Sequence, residues 1–169
     1  TSGDGIHGGV DNLRIADNQI AGLGDRSGHG IVLVEGLDPE GIDALQVRTN
    51  RFSHLGGHAI RQTHPLAEAS ICDNQMDDIG LGALVMEEAA AVGHLRFVGN
   101  QCRALGTAVT GEGTAFAAVQ LARVERADVT DNLLADVARQ AIGAPRVDAL
   151  RALGVRQLRV AGNRLVGIG

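Results

Sequence analysis

Six asparagines recur through this chain at nearly even intervals, and they constrain its fold more than any other feature. They are Asn18, Asn50, Asn74, Asn100, Asn132 and Asn163, separated by 32, 24, 26, 32 and 31 residues. Apolar or small residues stand eight, five and three positions before each asparagine, and again two and five positions after it. Self-similarity at such a period is the signature of a repeat protein whose copies stack on one another.

Each part of this frame has a physical reason. In the second copy the framed positions are Ile42, Leu45, Val47, Phe52 and Leu55. The alternation before the asparagine is that of a strand that buries one face. Asparagine bends the chain, because it tolerates a left-handed backbone and hydrogen-bonds local peptide groups. Stacked asparagines would therefore form a structural ladder that satisfies the backbone of buried corners.

A second corner and a third strand follow the frame. Glycine, or Ala138 in one copy, comes directly after the last framed position and indicates the corner. A small residue and an aliphatic residue then form an anchor pair in each turn: Gly30-Ile31, Ala59-Ile60, Ala83-Leu84, Ala108-Val109 and Ala141-Ile142. Leucine-rich repeats share the spacing of the frame, but their period of ~20–29 residues is shorter than three of the five intervals here.

The repeat resembles that of right-handed parallel β-helix proteins of the pectin-lyase-like superfamily. The resemblance rests on a strand, an asparagine, an aliphatic residue, a glycine-rich corner and an anchor pair, as in residues 18–31 and 50–60. It implies an all-β, right-handed parallel β-helix of about six turns, with a leucine-rich-repeat-like solenoid as the alternative. We expect residues 1–169 to form a single repeat domain that is part of a longer chain.

Composition agrees with stacked aliphatic columns, since 44% of residues are hydrophobic, only 2% are aromatic and 24 of 169 are glycine. Side chains of similar size pack well in a narrow stack. Cys102 falls in the inward column and Cys72 next to an inward residue, so we expect no disulfide.

The net charge of −5 with no basic stripe argues against nucleic acid as a partner. No apolar run approaches the ~20 residues that span a bilayer, and no motif calls for a cofactor.

The arc between each anchor pair and the next frame varies from 6 to 15 residues, so a binding site is expected there. Glu35, His64 and Glu88 lie four positions past successive anchors, and Glu87 and Glu112 form a neighbouring column. A Glu–His–Glu column would support acid–base chemistry, which makes these three residues the catalytic candidates. A solvated charged rim explains the same residues.

His29 and His58 stand two positions before their anchors and would stack, with Asp4 one turn earlier. Two histidines and an aspartate are a metal-ligand set, although polar corner residues explain them equally. Gly28-His29-Gly30 and Asp77-Asp78 resemble motifs of polygalacturonases, but the two motifs stand in reversed order here. No catalytic residue is carried over from that resemblance.

The superfamily resemblance implies an enzyme acting on polysaccharide, either a lyase or a glycoside hydrolase, but the motifs of its known enzymes are absent. We therefore predict a non-catalytic, extracellular or cell-surface module. It would act as a rigid scaffold and bind a polysaccharide or protein partner through loops on one face, residues 110–123 among them. A structural component of a surface or tail-like particle is the other alternative, because neither end has a recognisable cap. End-to-end or lateral homo-oligomers would cover such ends.

Overall fold

The computed structural model describes residues 12–22, 28–33, 43–89, 91–109, 115–138 and 146–168. Over these ranges the chain forms seventeen β-strands that belong to three parallel sheets. The same ranges contain no helix, and so none that is long and apolar enough to span a membrane.

The three sheets are numbered in the order in which the chain visits them. Sheet 1 contains β1 (Asn12–Ala16), β4 (Ala44–Arg48), β7 (Leu66–Cys72), β10 (Val92–Val98), β13 (Val124–Thr130) and β16 (Gln157–Ala161). Sheet 2 contains β2 (Gln19–Ala21), β5 (Arg51–Leu55), β8 (Gln75–Ile79), β11 (Gln101–Leu105), β14 (Leu133–Val137) and β17 (Arg164–Ile168). Sheet 3 contains β3 (Ile31–Leu33), β6 (Ile60–Gln62), β9 (Leu84–Met86), β12 (Phe116–Ala122) and β15 (Val147–Leu153).

One turn of the chain passes through sheets 1, 2 and 3, and each strand pairs in parallel with the strand three places on. Strand β4 pairs with β1 and β7, strand β5 with β2 and β8, and strand β6 with β3 and β9. Successive turns therefore stack into a parallel β-helix, which confirms the predicted fold class. In the described residues, five of the six turns have a strand on a third side, and this third sheet separates the fold from the leucine-rich-repeat alternative.

The framed positions of successive turns lie in register and form the core. The sheet 2 column is Ile20, Phe52, Met76, Cys102, Leu134 and Leu165. In sheet 1, Val47, Ile71 and Phe97 occupy one such column and are fully buried. Each buried aliphatic or aromatic side chain contributes roughly 1.5–3 kcal/mol, so the columns are the main source of stability.

Both cysteines are free thiols, Cys102 buried and Cys72 partly exposed. Cys102 is buried with its Sγ 3.8 Å from the Sδ of Met76, and this burial raises the pKa of its thiol to about 12. Cys72 is partly exposed, and its Sγ lies 3.3 Å from the hydroxyl oxygen of Ser70. The expectation of no disulfide is thus met, and Cys102 packs as a small hydrophobic side chain.

The corner between sheets 1 and 2 is left-handed at the residue before each ladder asparagine. The φ angles are 60° at Asp17, 54° at Thr49, 57° at Asp73, 68° at Gly99, 58° at Asp131 and 65° at Gly162. The sequence suggested asparagine as the left-handed residue, but the bend falls one position earlier and the asparagine contributes its side chain. At Gly99 a Cβ would lie 2.5 Å from Oδ1 of Asp73 on the neighbouring turn, so a larger residue there would require the Asp73 side chain to move.

The anchor pairs of the fourth and fifth turns differ from the prediction. Val119 pairs with Leu84 on one side and with Leu150 on the other. The anchors are therefore Ala118-Val119 and Ala149-Leu150. The predicted pair Ala141-Ile142 lies outside the described residues.

The predicted fourth anchor, Ala108-Val109, is wrong because it lies in a turn rather than a strand. The Val109 N–H donates to the Gly106 carbonyl at 3.1 Å, and both Ala108 and Val109 are partly exposed. Strand β12 instead supplies the sheet 3 strand of this turn, because Ala118 and Val119 are completely buried within its seven consecutive residues. In these two turns the long segment therefore connects sheet 2 to sheet 3, whereas the prediction placed it between sheet 3 and sheet 1.

Candidate functional site

The six asparagines form a continuous hydrogen-bonded ladder at the corner between sheets 1 and 2. From Asn50 to Asn163, each Oδ1 accepts the backbone N–H and an Nδ2 hydrogen of the asparagine one turn before it, at 2.9–3.1 Å. The Nδ2 groups also donate to backbone carbonyls of the preceding turn, as Asn100 does to Ile71 at 2.9 Å. The four central asparagines are at most 2% exposed. The ladder thus satisfies backbone groups that water does not reach.

His29 and His58, the candidate metal ligands, form a second and shorter ladder at the entry to sheet 3. Their rings are parallel within 2°, with centroids 5.5 Å apart. The backbone N–H of His58 donates to Nδ1 of His29 at 2.8 Å, and the N–H of Gly82 donates to Nδ1 of His58 at 3.0 Å. An accepting Nδ1 carries no proton, so each neutral ring holds its proton on Nε2.

Burial, together with the neighbouring His29 and Arg61, lowers the pKa of His58 to about 4. The next position of this column is Gly82, which has no side chain, and Asp4 lies outside the described residues. Across the described ranges no group of three or more His, Cys, Asp or Glu side chains is arranged to hold a metal ion. The two rings therefore accept hydrogen bonds from backbone N–H groups of the next turn, which is a structural role.

The catalytic candidates do not share one environment. His64 is 8% exposed, and its Nδ1 has no hydrogen-bond partner among the described residues. The backbone carbonyl of His64 accepts a hydrogen bond from the side-chain amide of buried Gln62. Glu88 is exposed in the turn after β9, and Glu35 lies outside the described residues. The structure therefore places His64 in the interior and Glu88 in solvent.

Glu87, from the neighbouring column, pairs with Arg61 one turn away. The Nη2 of Arg61 lies 2.6 Å from Oε1 of Glu87, and each side chain is 39% exposed. A pair this exposed contributes at most about 1 kcal/mol, because solvent screens it. Glu112 lies outside the described residues.

A hydrogen-bonded chain on sheet 2 was not anticipated from the sequence. The Nδ1 of His54 lies 2.8 Å from Oδ2 of Asp78, and the hydroxyl of Thr107 donates to Oδ1 of Asp78 at 3.2 Å. His54 is 66% exposed, so this chain lies on the surface. It includes Asp78 of the Asp77-Asp78 pair, but it does not include His29 or His58.

A groove of about 440 Å³ follows the edge of sheet 1 at which the chain arrives from sheet 3. It spans several turns and is lined by Leu66, Ala67, Ala91, Val92, Gly93, Arg123, Val124, Glu125, Gly154 and Arg156. We call it the edge groove. At Gly93, one of the lining residues, a Cβ would lie 2.5 Å from the carbonyl oxygen of Ala67, so the neighbouring backbone leaves no room for a side chain.

Two arginines form the polar wall of the edge groove. An Nη1 of Arg123 donates to the backbone carbonyl of Glu88 at 3.3 Å, and an Nη1 of Arg156 donates to Oε1 of Glu125 at 2.9 Å. The side chains of Arg156 and Glu125 are 76% and 53% exposed. Each guanidinium has five N–H donors, so both retain hydrogen-bonding capacity toward a ligand.

More arginines continue from the edge groove across the outer face of sheet 1. Arg96, Arg126 and Arg159 are exposed there and lie on consecutive strands. Asp128 lies among them, with its Oδ2 3.1 Å from Nε2 of His94. That hydrogen bond, then the charges of Arg126 and Arg159, hold the pKa of Asp128 below its usual range.

Taken together, the edge groove and this face form one basic surface on an acidic protein. Its arginines are Arg96, Arg123, Arg126, Arg156 and Arg159, and its carboxylates are Glu68, Glu88, Glu125 and Asp128. Sequence reasoning missed this surface because it looked for a basic run along the chain. Stacking of turns brings together arginines that are up to 63 positions apart.

The fold defines the chain as a parallel β-helix solenoid. No protein-family model, curated protein or solved structure matches it.

Proposed function

We propose that this chain is a non-catalytic, extracellular β-helix module, related in architecture to pectin-lyase-like proteins, that binds an anionic glycan. The β-helix would act as a rigid scaffold, and the glycan would lie in the edge groove against Arg123 and Arg156. The observation that supports this proposal is the groove itself, an open channel across several turns with arginines on its wall.

Rigidity is the scaffold's contribution. The asparagine ladder and the core columns fix each turn relative to the next, so the groove exists before a ligand binds. A preformed site avoids the entropy cost of ordering loops when the ligand arrives.

The chemistry of the groove favours a carboxylate-bearing sugar chain. Guanidinium groups pair with carboxylates through two parallel N–H···O bonds. The chain contains no Trp or Tyr, so recognition would depend on ionic hydrogen bonds rather than on stacking of sugar rings. The proposed binding surface shares Arg123 with the predicted loop residues 110–123 and otherwise lies along the edge of sheet 1.

Titration with polygalacturonate, a polymer of carboxylate-bearing sugars, tests the proposal. The double variant Arg123→Gln/Arg156→Gln is expected to bind at least tenfold more weakly, which is about 1.4 kcal/mol. The matched control Arg51→Gln/Arg103→Gln removes two exposed arginines from sheet 2 and is expected to bind like the parent protein. Neutral dextran is expected not to bind.

Three outcomes would overturn the proposal. The first is that polygalacturonate does not bind saturably, and the second is that both double variants lose the same affinity. The third is that the polymer is cleaved during incubation. Product analysis by chromatography after the titration detects cleavage and would favour the polysaccharide-acting enzyme instead.

A further inference from the structure

Two buried polar atoms lie where the chain leaves sheet 3 and turns toward sheet 1. They are the Oε1 of Gln62, the last residue of β6, and the Nδ1 of His64, two residues later. The two residues are only 1% and 8% exposed. Neither atom has a hydrogen-bond partner in the described part of the chain. Burying a polar atom without a partner costs free energy, so this corner requires a physical explanation.

The two ladders show how other polar side chains of this interior are satisfied. In the asparagine ladder, the Oδ1 of Asn74 accepts two hydrogen bonds from Asn50. In the histidine ladder, the Nδ1 of His58 accepts the backbone N–H of Gly82. The corner after β6 therefore departs from a rule that both ladders follow.

Gln62 occupies an inward position of sheet 3. Its register partners on the neighbouring turns are Leu33 and Met86, which are 0% and 1% exposed. Methionine has nearly the same length as glutamine, so an apolar side chain of this size fits the same column one turn later. The amide of Gln62 thus lies between apolar neighbours, where it is costly unless its hydrogen bonds are made.

Only half of that amide is used within the described chain. Its Nε2 donates to the backbone carbonyl of His64, and this bond joins the two residues across the corner. The backbone carbonyl of Gln62 accepts the N–H of Glu87 at 3.0 Å, and the N–H of Thr63 donates to the Leu33 carbonyl at 2.9 Å. These backbone groups are paired, and the unpartnered atoms are one amide oxygen and one ring nitrogen on linked residues.

We infer that Gln62 and His64 bind one internal water molecule, which bridges the Oε1 of Gln62 and the Nδ1 of His64. A water molecule donates to the amide oxygen, and it can donate to or accept from the ring nitrogen, whichever tautomer the ring adopts. Buried waters are a regular part of folded proteins and bind polar groups that the chain leaves unpaired. The inference goes beyond the proposed glycan binding and is independent of it.

A metal ion fits the same two atoms poorly. One amide oxygen and one imidazole nitrogen are two ligands, whereas structural zinc takes about four and calcium roughly six to eight. A buried water needs only about two to four polar partners. The site therefore has the number of polar atoms that a water requires and fewer than a metal requires.

A high-resolution crystal structure of the 169-residue protein gives the first test. The expected result is an ordered water within hydrogen-bond distance, roughly 2.6–3.2 Å, of both the Oε1 of Gln62 and the Nδ1 of His64. A dry site, a metal ion in that place, or a direct bond between the two atoms would overturn the inference.

Relaxation dispersion of the oxygen-17 signal of water counts long-lived internal waters in solution and gives the second test. Gln62→Met removes the amide oxygen but keeps the length of the side chain, so a water there would retain one partner. The variant is expected to contain one long-lived water fewer than the parent protein. The matched control Gln101→Met makes the same exchange at an exposed position of sheet 2 and should keep the parent's count. Equal counts in the parent and in Gln62→Met would overturn the inference.

A histidine variant separates one shared water from two independent ones. His64→Phe removes the ring nitrogen and is also expected to lose one long-lived water, whereas His54→Phe, at a 66% exposed histidine, should lose none. The double variant Gln62→Met/His64→Phe is expected to lose one water in total. A loss of two would overturn the bridge. If the variants at positions 62 and 64 do not fold, the crystal structure of the parent protein decides alone.

Discussion

The two side-chain ladders of this β-helix perform the same task with different chemistry. In both, a side-chain atom of one turn accepts the backbone N–H of a residue on a neighbouring turn. The asparagine ladder runs through six turns and uses an amide oxygen. The histidine ladder covers two residues, His29 and His58, and uses a ring nitrogen.

Because the two ladders use different acceptor groups, their hydrogen bonds should respond differently to pH. An amide side chain does not ionise, so the corner between sheets 1 and 2 keeps its hydrogen bonds at any moderate pH. A neutral imidazole loses its acceptor when it is protonated. The entry to sheet 3 should therefore weaken in acid, whereas the asparagine corner should not.

Removing one central asparagine is the change with the largest expected effect. Asn100→Ala leaves the N–H of Asn74 and the carbonyl of Ile71 buried without their partners. Each such loss costs about 1–3 kcal/mol, and the free energy of unfolding should fall by roughly 3–5 kcal/mol in urea denaturation. Asn12→Ala, an exposed site outside the ladder, should change it by less than about 0.5 kcal/mol. If Asn100→Ala lowered the free energy of unfolding by less than about 1 kcal/mol, the ladder would not be a major source of stability.

Acidification tests the histidine ladder and has a smaller expected effect. The pKa of His58 is about 4 when folded against 6.5 when unfolded. The unfolded chain therefore binds more protons between these values, and stability falls as pH is lowered from 6.5 to 4. This residue accounts for a loss on the order of 2–3 kcal/mol over that window.

Urea denaturation of the parent and of His58→Asn at pH 7 and pH 4 measures that contribution. The variant has no ring to protonate, so its stability should depend less on pH by about the same 2–3 kcal/mol. Asn12→Ala, at an exposed position outside both ladders, serves as the control and should keep the parent's pH dependence. An unchanged pH dependence in His58→Asn would remove His58 as the sensitive group.

Sequence alone was sufficient for the parts of the fold that repeat with a fixed spacing. The frame around Asn50 or Asn100 fixes two strands and a corner, because every offset is short and constant. The third strand of turns four and five was misplaced, since Ala108-Val109 and Ala118-Val119 both fit a small–aliphatic pair. Only burial of the whole β12 strand distinguishes them, and that depends on the neighbouring turn.

The candidate site was less accessible to sequence reasoning. Stacking of His29 on His58 followed from their offsets, but the backbone N–H of Gly82 as the partner of His58 required the coordinates. The edge groove depends on Arg123 and Arg156, which come from different turns. Their spacing in sequence is set by variable loops, so no fixed pattern marks them.

Hydrogen exchange at two amides tests the comparison of the ladders most directly. The Gly82 amide donates to Nδ1 of His58, and the Asn74 amide donates to Oδ1 of Asn100. After correction for the intrinsic pH dependence of exchange, protection at Gly82 should fall about tenfold or more between pH 7 and pH 5, a change of at least 1.4 kcal/mol. Protection at Asn74 should change much less. Equal changes at the two amides would contradict the account, because they would show that both ladders respond to acid in the same way.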